Sequence, residues 1–248
     1  MDSIDEFTRL IDADLAWRKR EVSNLILLEN PENQLVIIKS TLLLIYSHWE
    51  GYIKNASKLY LIHVSRKNLD INQLTDNFKA ISLKNVIAKA YESCDSLSLS
   101  NELNFLDKMK DDSNKKFRVS REIITNERDK SIINTKDNLS IKVFKSILKI
   151  VGIDYQEIID TKRTFIDEKL LENRNKVAHG NRIESVDDEF NVNIDELKTI
   201  KNLIFYLMGC FADDLKFFVE NELYFIDKSD DTQEYLELKR EEIRDSLP

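Results

Sequence analysis

Arg174, Asn175 and His179 fall within two helical turns of one another in the run Leu170-Leu171-Glu172-Asn173-Arg174-Asn175-Lys176-Val177-Ala178-His179-Gly180. An arginine can bind a phosphate through two donors and stabilise the charge of a pentacoordinate transition state. A histidine has an ordinary pKa near neutrality and can take or give a proton. An amide such as Asn175 can orient either group or the phosphate. These residue types suit cleavage of RNA without a metal, because RNA carries its own nucleophile, the 2′-hydroxyl. The protein then need only move protons and stabilise charge, the product ends in a 2′,3′-cyclic phosphate, and DNA lacks the nucleophile.

The spacing constrains how such a site can be built. Residues five apart in a straight helix diverge by about 140° around the axis, so Arg174 and His179 do not share a face. A site using both needs a distorted last turn, or a second copy of the motif helix, which predicts a homodimer with the site at its two-fold seam. The second arrangement is the favoured one. On spacing alone, structural roles are the simpler reading: Arg174 capping a carbonyl or meeting a carboxylate, and His179 placed favourably at a helix carboxyl end.

The elements that position these residues read as helices. Four Gly and two Pro in 248 residues are too few for a fold built on tight turns, and 33% charged residues with abundant Leu, Ile, Lys and Glu point to long helices. A first helix is expected over 2–28, with Ile4, Phe7, Leu10, Ile11, Leu15 and Val22 near helical spacing. After the break at Asn30-Pro31-Glu32-Asn33, a second runs from about Gln34 to Lys67, with Val36, Ile37, Leu43, Leu44, Trp49, Ile53, Leu59, Tyr60 and Val64 as its buried side. Gly51 within it suggests a close helix approach. Residues 68–92 hold a loop and a shorter helix, and 93–138 form an irregular insertion of short helices and loops, with room for a small strand. Helix resumes near Leu139 and stops at Gly152. The motif helix is expected from about 160 to His179. Asn193-Ile194-Asp195-Glu196 has capping-box spacing and opens an apolar helix to about Phe225. A charged, peripheral helix over 231–245 closes an all-α single domain.

Charge and motif content narrow the function. The formal net charge of −8 argues against indiscriminate nucleic-acid binding. Between Lys142 and Arg182, however, nine basic residues face six acidic ones, whereas from Glu184 onward seven face eighteen. Lys176, inside the motif, and Arg182, just after it, are the expected contacts to an RNA backbone. No HExxH, EF-hand, P-loop or dinucleotide motif is present, so neither metal nor cofactor is expected. Cys94 and Cys210 are isolated. The amino terminus lacks a signal-peptide core, and the longest apolar patch, Leu42–Tyr46, is far too short for a bilayer, so a soluble cytoplasmic protein is expected. Phe205, Phe211, Phe217, Phe218, Tyr224 and Phe225 are spaced for core packing rather than base stacking.

Arg174-Asn175-Lys176-Val177-Ala178-His179 matches the R-x4-6-H signature of the HEPN superfamily, including the polar residue that follows its Arg. Leu171–Gly180 resembles the "RN-x-x-AHG" helix end of stand-alone prokaryotic members. His48-Trp49-Glu50-Gly51-Tyr52 resembles their "HWEG-aromatic" stretch, and Asn138-Leu139 through Gly152-Ile153-Asp154 their "NL…ILK-x-x-G-I-D" segment. Together these span about 35–225. The resemblance implies a helical bundle that dimerises, often as a ribonuclease of toxin–antitoxin or antiviral systems, with an antitoxin or other defence protein as a partner. By the same resemblance Arg174 and His179 are the catalytic pair, with Asn175 supporting. A carboxylate at Glu50 can orient Arg174 from the neighbouring helix, whereas His48 and Trp49 are better read as packing. The other reading is a non-catalytic HEPN module that binds RNA, a nucleotide or a protein.

Overall fold

Helix α2 (Gln34–Arg66) runs through the centre of the molecule in the computed structural model, which describes residues 3–92, 98–110, 115–187 and 190–248. Every residue from Ala56 to Ser65 is buried. Helix α1 (Ile4–Ile26) lies along α2 and turns Phe7, Ile11 and Val22 into the core. Ser3 caps α1 by accepting the Glu6 N–H (3.1 Å), and Asp5 and Glu6 in the first turn face the positive end of the helix dipole. The break expected at 30–33 is a turn closed by side chains: the Asn30 side-chain Oδ1 accepts from the N–H groups of Glu32 (3.0 Å) and Asn33 (3.1 Å). Gly51 marks a close approach, but of a side chain. A Cβ there would meet the Arg18 guanidinium of α1 at 2.8 Å.

The burial pattern of α2 departs from the amphipathic expectation. Val36 is exposed, and Leu43 and Leu44 are only half-buried, whereas Ile38, Leu42, Ile45 and Tyr46 are buried. A helix wrapped on several sides has no single apolar stripe, so periodicity misplaces its inner face.

Helix α3 (Asp76–Glu92) and helix α4 (Ser100–Lys110) form a hairpin, and α5 (Glu122–Thr125) is a single turn. No strand occurs among the described residues. Isolated bridges pair Asp70 with Lys116 and Leu74 with Phe225. The irregular stretch is not uniform. From residue 115 onward it is built into the body, with Phe117, Ile123, Ile133, Thr135 and Leu139 buried.

Helix α6 (Ile141–Val151) begins at its Ser140 cap and ends at Gly152, whose φ of 82° admits glycine without strain. The motif lies on a helical run of mixed character: a 3-10 stretch Glu157–Lys162, α7 (Arg163–Phe165), a π-helical stretch Ile166–Glu172 and α8 (Asn173–Ala178). Helix α9 (Ile194–Glu220) carries the expected capping box, Asn193 accepting from Glu196 N–H while the Glu196 carboxylate accepts from Asn193 N–H. It ends before Phe225, at a turn around Glu222. Trp49, Phe144 and Phe211 link α2, α6 and α9 through ring contacts at 5.0 and 5.9 Å. Phe211, Phe218 and Tyr224 are buried and Phe205, Phe217 and Phe225 pack against the core, as their spacing predicted. Helix α10 (Ser229–Ser246) lies on α9, with the Tyr235 ring stacked on Phe217 at 3.9 Å.

Candidate functional site

The motif helix expected from about 160 to His179 is a run of 3-10, α and π character that begins at Glu157. Its π-helical stretch widens the turn, which displaces backbone carbonyls from their usual i→i+4 partners. Asn173, fully buried, supplies the missing donors. Its side-chain amide donates to the backbone carbonyls of Glu168 (2.9 Å) and Lys169 (3.2 Å) and to the side-chain Oδ1 of Asn191 (3.1 Å). Lys169 reaches across to Glu196 (2.7 Å) and to the Asn191 carbonyl (2.7 Å), fixing the motif run to the start of α9. Sequence reasoning missed Asn173. A mid-helix asparagine is an unfavourable choice, and that was the one available signal.

The distortion lies before Arg174, not between Arg174 and His179. Residues 173–178 are α-helical, and the His179 N–H donates to the Asn175 carbonyl at 2.9 Å in the ordinary register. The two side chains therefore keep their divergence of about 140°. Within one chain they are not brought together.

Arg174 points back to α2. Its guanidinium carbon lies 3.6 Å from the centroid of the Tyr46 ring, and Nη2 is 3.3 Å from the Asp137 carbonyl and 3.4 Å from Asn138 Oδ1. Its Nε is buried with no hydrogen-bond partner among the described residues. Three residues of α2 fix the strap that carries Asp137 and Asn138. The Tyr46 hydroxyl accepts from Leu139 N–H (2.9 Å), Trp49 Nε1–H donates to the Leu139 carbonyl (3.1 Å), and Glu50 accepts from the Thr135 hydroxyl. Burial pushes the Tyr46 phenol up to about 12, with the Glu50 charge adding to the shift, while Leu139 N–H and Arg174 oppose it. Lys136 and Asp137 both adopt left-handed backbone, φ 56° and 55°. For non-glycine residues such a conformation costs about 1–2 kcal/mol each. That strain aims the Asp137 carbonyl at Arg174.

The remaining predicted residues fall as follows. Glu50 reaches the Arg174 cluster through Tyr46 and Thr135. His48, two residues earlier, faces α1. Its Nε2 is 2.8 Å from Glu21 and its Nδ1 3.3 Å from Arg18, and burial together with Arg18 lowers its pKa against the opposing pull of Glu21. His179 closes the helix with an exposed imidazole that makes no hydrogen bond to any described residue. Gly180 follows at φ 74°, its N–H donating to the Val177 carbonyl (3.1 Å) and the Asn181 N–H to that of Lys176 (3.1 Å). This is the Schellman closure that only a residue tolerant of left-handed backbone permits. Asn175 is half-buried and its side chain makes no hydrogen bond to a described residue. Lys176 is half-buried. Arg182 is exposed and pairs with Glu184 (2.8 Å), which offsets its charge. Among the described residues no three His, Cys, Asp or Glu side chains converge as a metal site requires, and no helix is long and apolar enough to cross a membrane. Cys94 lies outside the described residues, and Cys210 is buried.

An all-α body in which a helix end presents an R-x4-H pair, braced by an earlier long helix, defines a HEPN-type protein. The family model described as RiboL-PSP-HEPN matches residues 13–216, and the chain belongs to that family. The matched region opens within α1, takes in the α3–α4 hairpin and the strap, and closes within α9, leaving α10 outside. No curated protein and no solved structure matches the chain.

Proposed function

We propose that this chain is a metal-independent endoribonuclease, with Arg174 and His179 from two copies meeting at a homodimer seam. The observation that carries the reading is a division of labour at one helix end: a braced guanidinium on one side of the helix and, on another, an exposed imidazole with no hydrogen-bond partner among the described residues. In the reaction His179 removes the proton of the 2′-hydroxyl, and that oxygen attacks the adjacent phosphorus. The P–O5′ bond breaks, leaving a 2′,3′-cyclic phosphate, and the departing 5′-oxygen takes a proton from water to become the 5′-hydroxyl, the hydroxide so formed being neutralised by the proton that His179 holds. Arg174 stabilises the charge on the pentacoordinate phosphorane. Asn175 supports, and Lys176 and Arg182 contact the RNA backbone. A toxin or antiviral effector controlled by an antitoxin or another defence protein fits such an activity. Poor growth on expression, relieved by His179→Ala, is the expected cellular sign.

A second reading has one observation in its favour. Arg174 already contacts the Asp137 carbonyl and Asn138, an arrangement that also suits a module that binds RNA, a nucleotide or a protein without cleaving. Cleavage of a mixed RNA pool in EDTA separates the two. Cyclic-phosphate products from wild type, absent with folded Arg174→Ala and His179→Ala, are expected. RNA bound but left intact supports the binding module, and equal cleavage by all three proteins rejects the residue assignment.

A further inference from the structure

Leu27 and Leu28, in the turn from α1 to α2, and Val36, in the first turn of α2, expose 81%, 64% and 59% of their surface. The Leu28 carbonyl accepts from the Asn33 side-chain amide at 2.9 Å, which holds the leucines beside the start of α2. From Val36 a stripe continues along α2 through Ser40, Leu43 and Ser47, spaced i, i+4, i+7 and i+11 on one side of the helix. Ser40 and Ser47 are exposed and Leu43 is half-buried. The Ser47 hydroxyl donates to the Leu43 carbonyl of its own helix at 2.9 Å. No residue of the stripe is charged. Three strongly exposed aliphatic side chains continuous with such a stripe mark a contact site rather than ordinary surface scatter.

The stripe borders the motif run. Arg174 lies over Tyr46, and further along the chain the Ile183 carbonyl accepts from Lys39 Nζ at 3.3 Å. From Arg174 to Ile183 the chain thus descends about two turns of α2, with His179 between the two anchors. Leu43 stands between Lys39 and Tyr46 on α2, so the stripe shares an edge with the side that the motif run covers. Val186, just past Ile183 and 45% exposed, extends the apolar surface. Both signs of charge border it, Glu32 and Glu184 acidic, Lys39 and Arg182 basic, which suits a surface meeting its own copy across a two-fold axis. The site itself calls for that copy. Arg174 and His179 diverge by about 140° on one helix, so a single chain does not bring the pair together.

We propose that a second copy of this chain docks on this face, with Leu27, Leu28, Val36 and Leu43 of the two copies meeting across a two-fold axis beside the motif helix. The inference rests on the reading of a shared seam and deepens it by assigning the surface that forms the seam.

The test joins sedimentation velocity with RNA cleavage in EDTA, both on the full chain. Wild type is expected to sediment as a dimer at micromolar concentration. Leu28→Glu/Val36→Glu places carboxylates at exposed positions, so circular dichroism and melting should be unchanged while the protein sediments as a monomer and cleaves at least tenfold more slowly. Leu27→Glu/Val186→Glu is an independent second variant with the same expected outcome. Leu103→Glu/Leu106→Glu, on the exposed surface of α4, should remain dimeric. A monomeric wild type overturns the proposal and the shared seam together. A dimer that survives both tip variants, or that the α4 variant dissolves, overturns the proposal alone and leaves cleavage to a different seam. Tip variants that become monomeric while cleavage is unchanged, or is absent even from wild type, uphold the docking face and reject the shared catalytic site.

Discussion

With its central carbon 3.6 Å from the centroid of the Tyr46 ring, the Arg174 guanidinium is held in place within the folded chain itself. A cation over a desolvated ring is worth about 2 kcal/mol, against about 0.5–1 at an exposed site. The planar group also keeps its edges for hydrogen bonds, which a lysine could not do. Tyr46 is therefore a positioning residue for Arg174, and its two parts can be separated. Tyr46→Phe keeps the stack and removes the acceptor for Leu139 N–H. Tyr46→Leu removes both. If Arg174 acts on the phosphate, Tyr46→Leu lowers kcat for RNA cleavage at least tenfold while Tyr46→Phe stays within a few-fold, measured on proteins of matched melting temperature. The R-x4-H pair was legible because its members are sequence neighbours. Tyr46 was not, since nothing in a single sequence ties an α2 tyrosine to an arginine far along the chain.

Helix ends carry local signatures, and those were readable. The Asn193–Glu196 box and the Gly152 and Gly180 stops occur where side-chain chemistry requires them. The π-helical stretch was not readable, because it arises from a tertiary bargain: Asn173 satisfies the carbonyls of Glu168 and Lys169 only when Asn191 is beside it. The contact between α9 and α10 has a comparable hidden dependence. Asp214 of α9 is buried and accepts the Tyr235 hydroxyl at 2.7 Å. Burial pushes its carboxyl from 3.8 up to about 6, Asp213 and Glu242 adding to the shift while Tyr235 and Lys239 oppose it. The folded state thus holds the proton more tightly than the unfolded chain. This contribution favours folding fully below the ordinary carboxylate pKa, is lost progressively as pH rises to about 6, and stays lost above. The loss is about 3 kcal/mol. Asp214→Asn keeps an acceptor for Tyr235 and carries no charge. Urea unfolding should therefore show the variant gaining on wild type from about pH 4 to 6, then holding a constant advantage.

At the scale of the whole molecule, fold class was legible from composition and periodicity, and the family from three short segments in order. The inside of the bundle was not. Burial of α2 on several sides and the welding of 115–140 into the body are properties of assembly, invisible to a pattern that assumes one wet face. The divergence of Arg174 and His179 makes the assembly of two copies testable. If each site takes arginine from one copy and histidine from the other, a mixed dimer of Arg174→Ala and His179→Ala chains regains one intact site and about half the wild-type rate. Each parent dimer should be inactive. A mixed dimer as silent as its parents would reject the shared seam.

The unbroken burial of Ala56 to Ser65 has a consequence for how the protein opens. Amide protons in that part of α2 are sheltered on every side of the helix, so no fraying or loop excursion exposes them to solvent. Their deuterium uptake should require global unfolding and report the free energy of the whole fold. The outer turns of α4, which bury no side chain, should exchange orders of magnitude sooner.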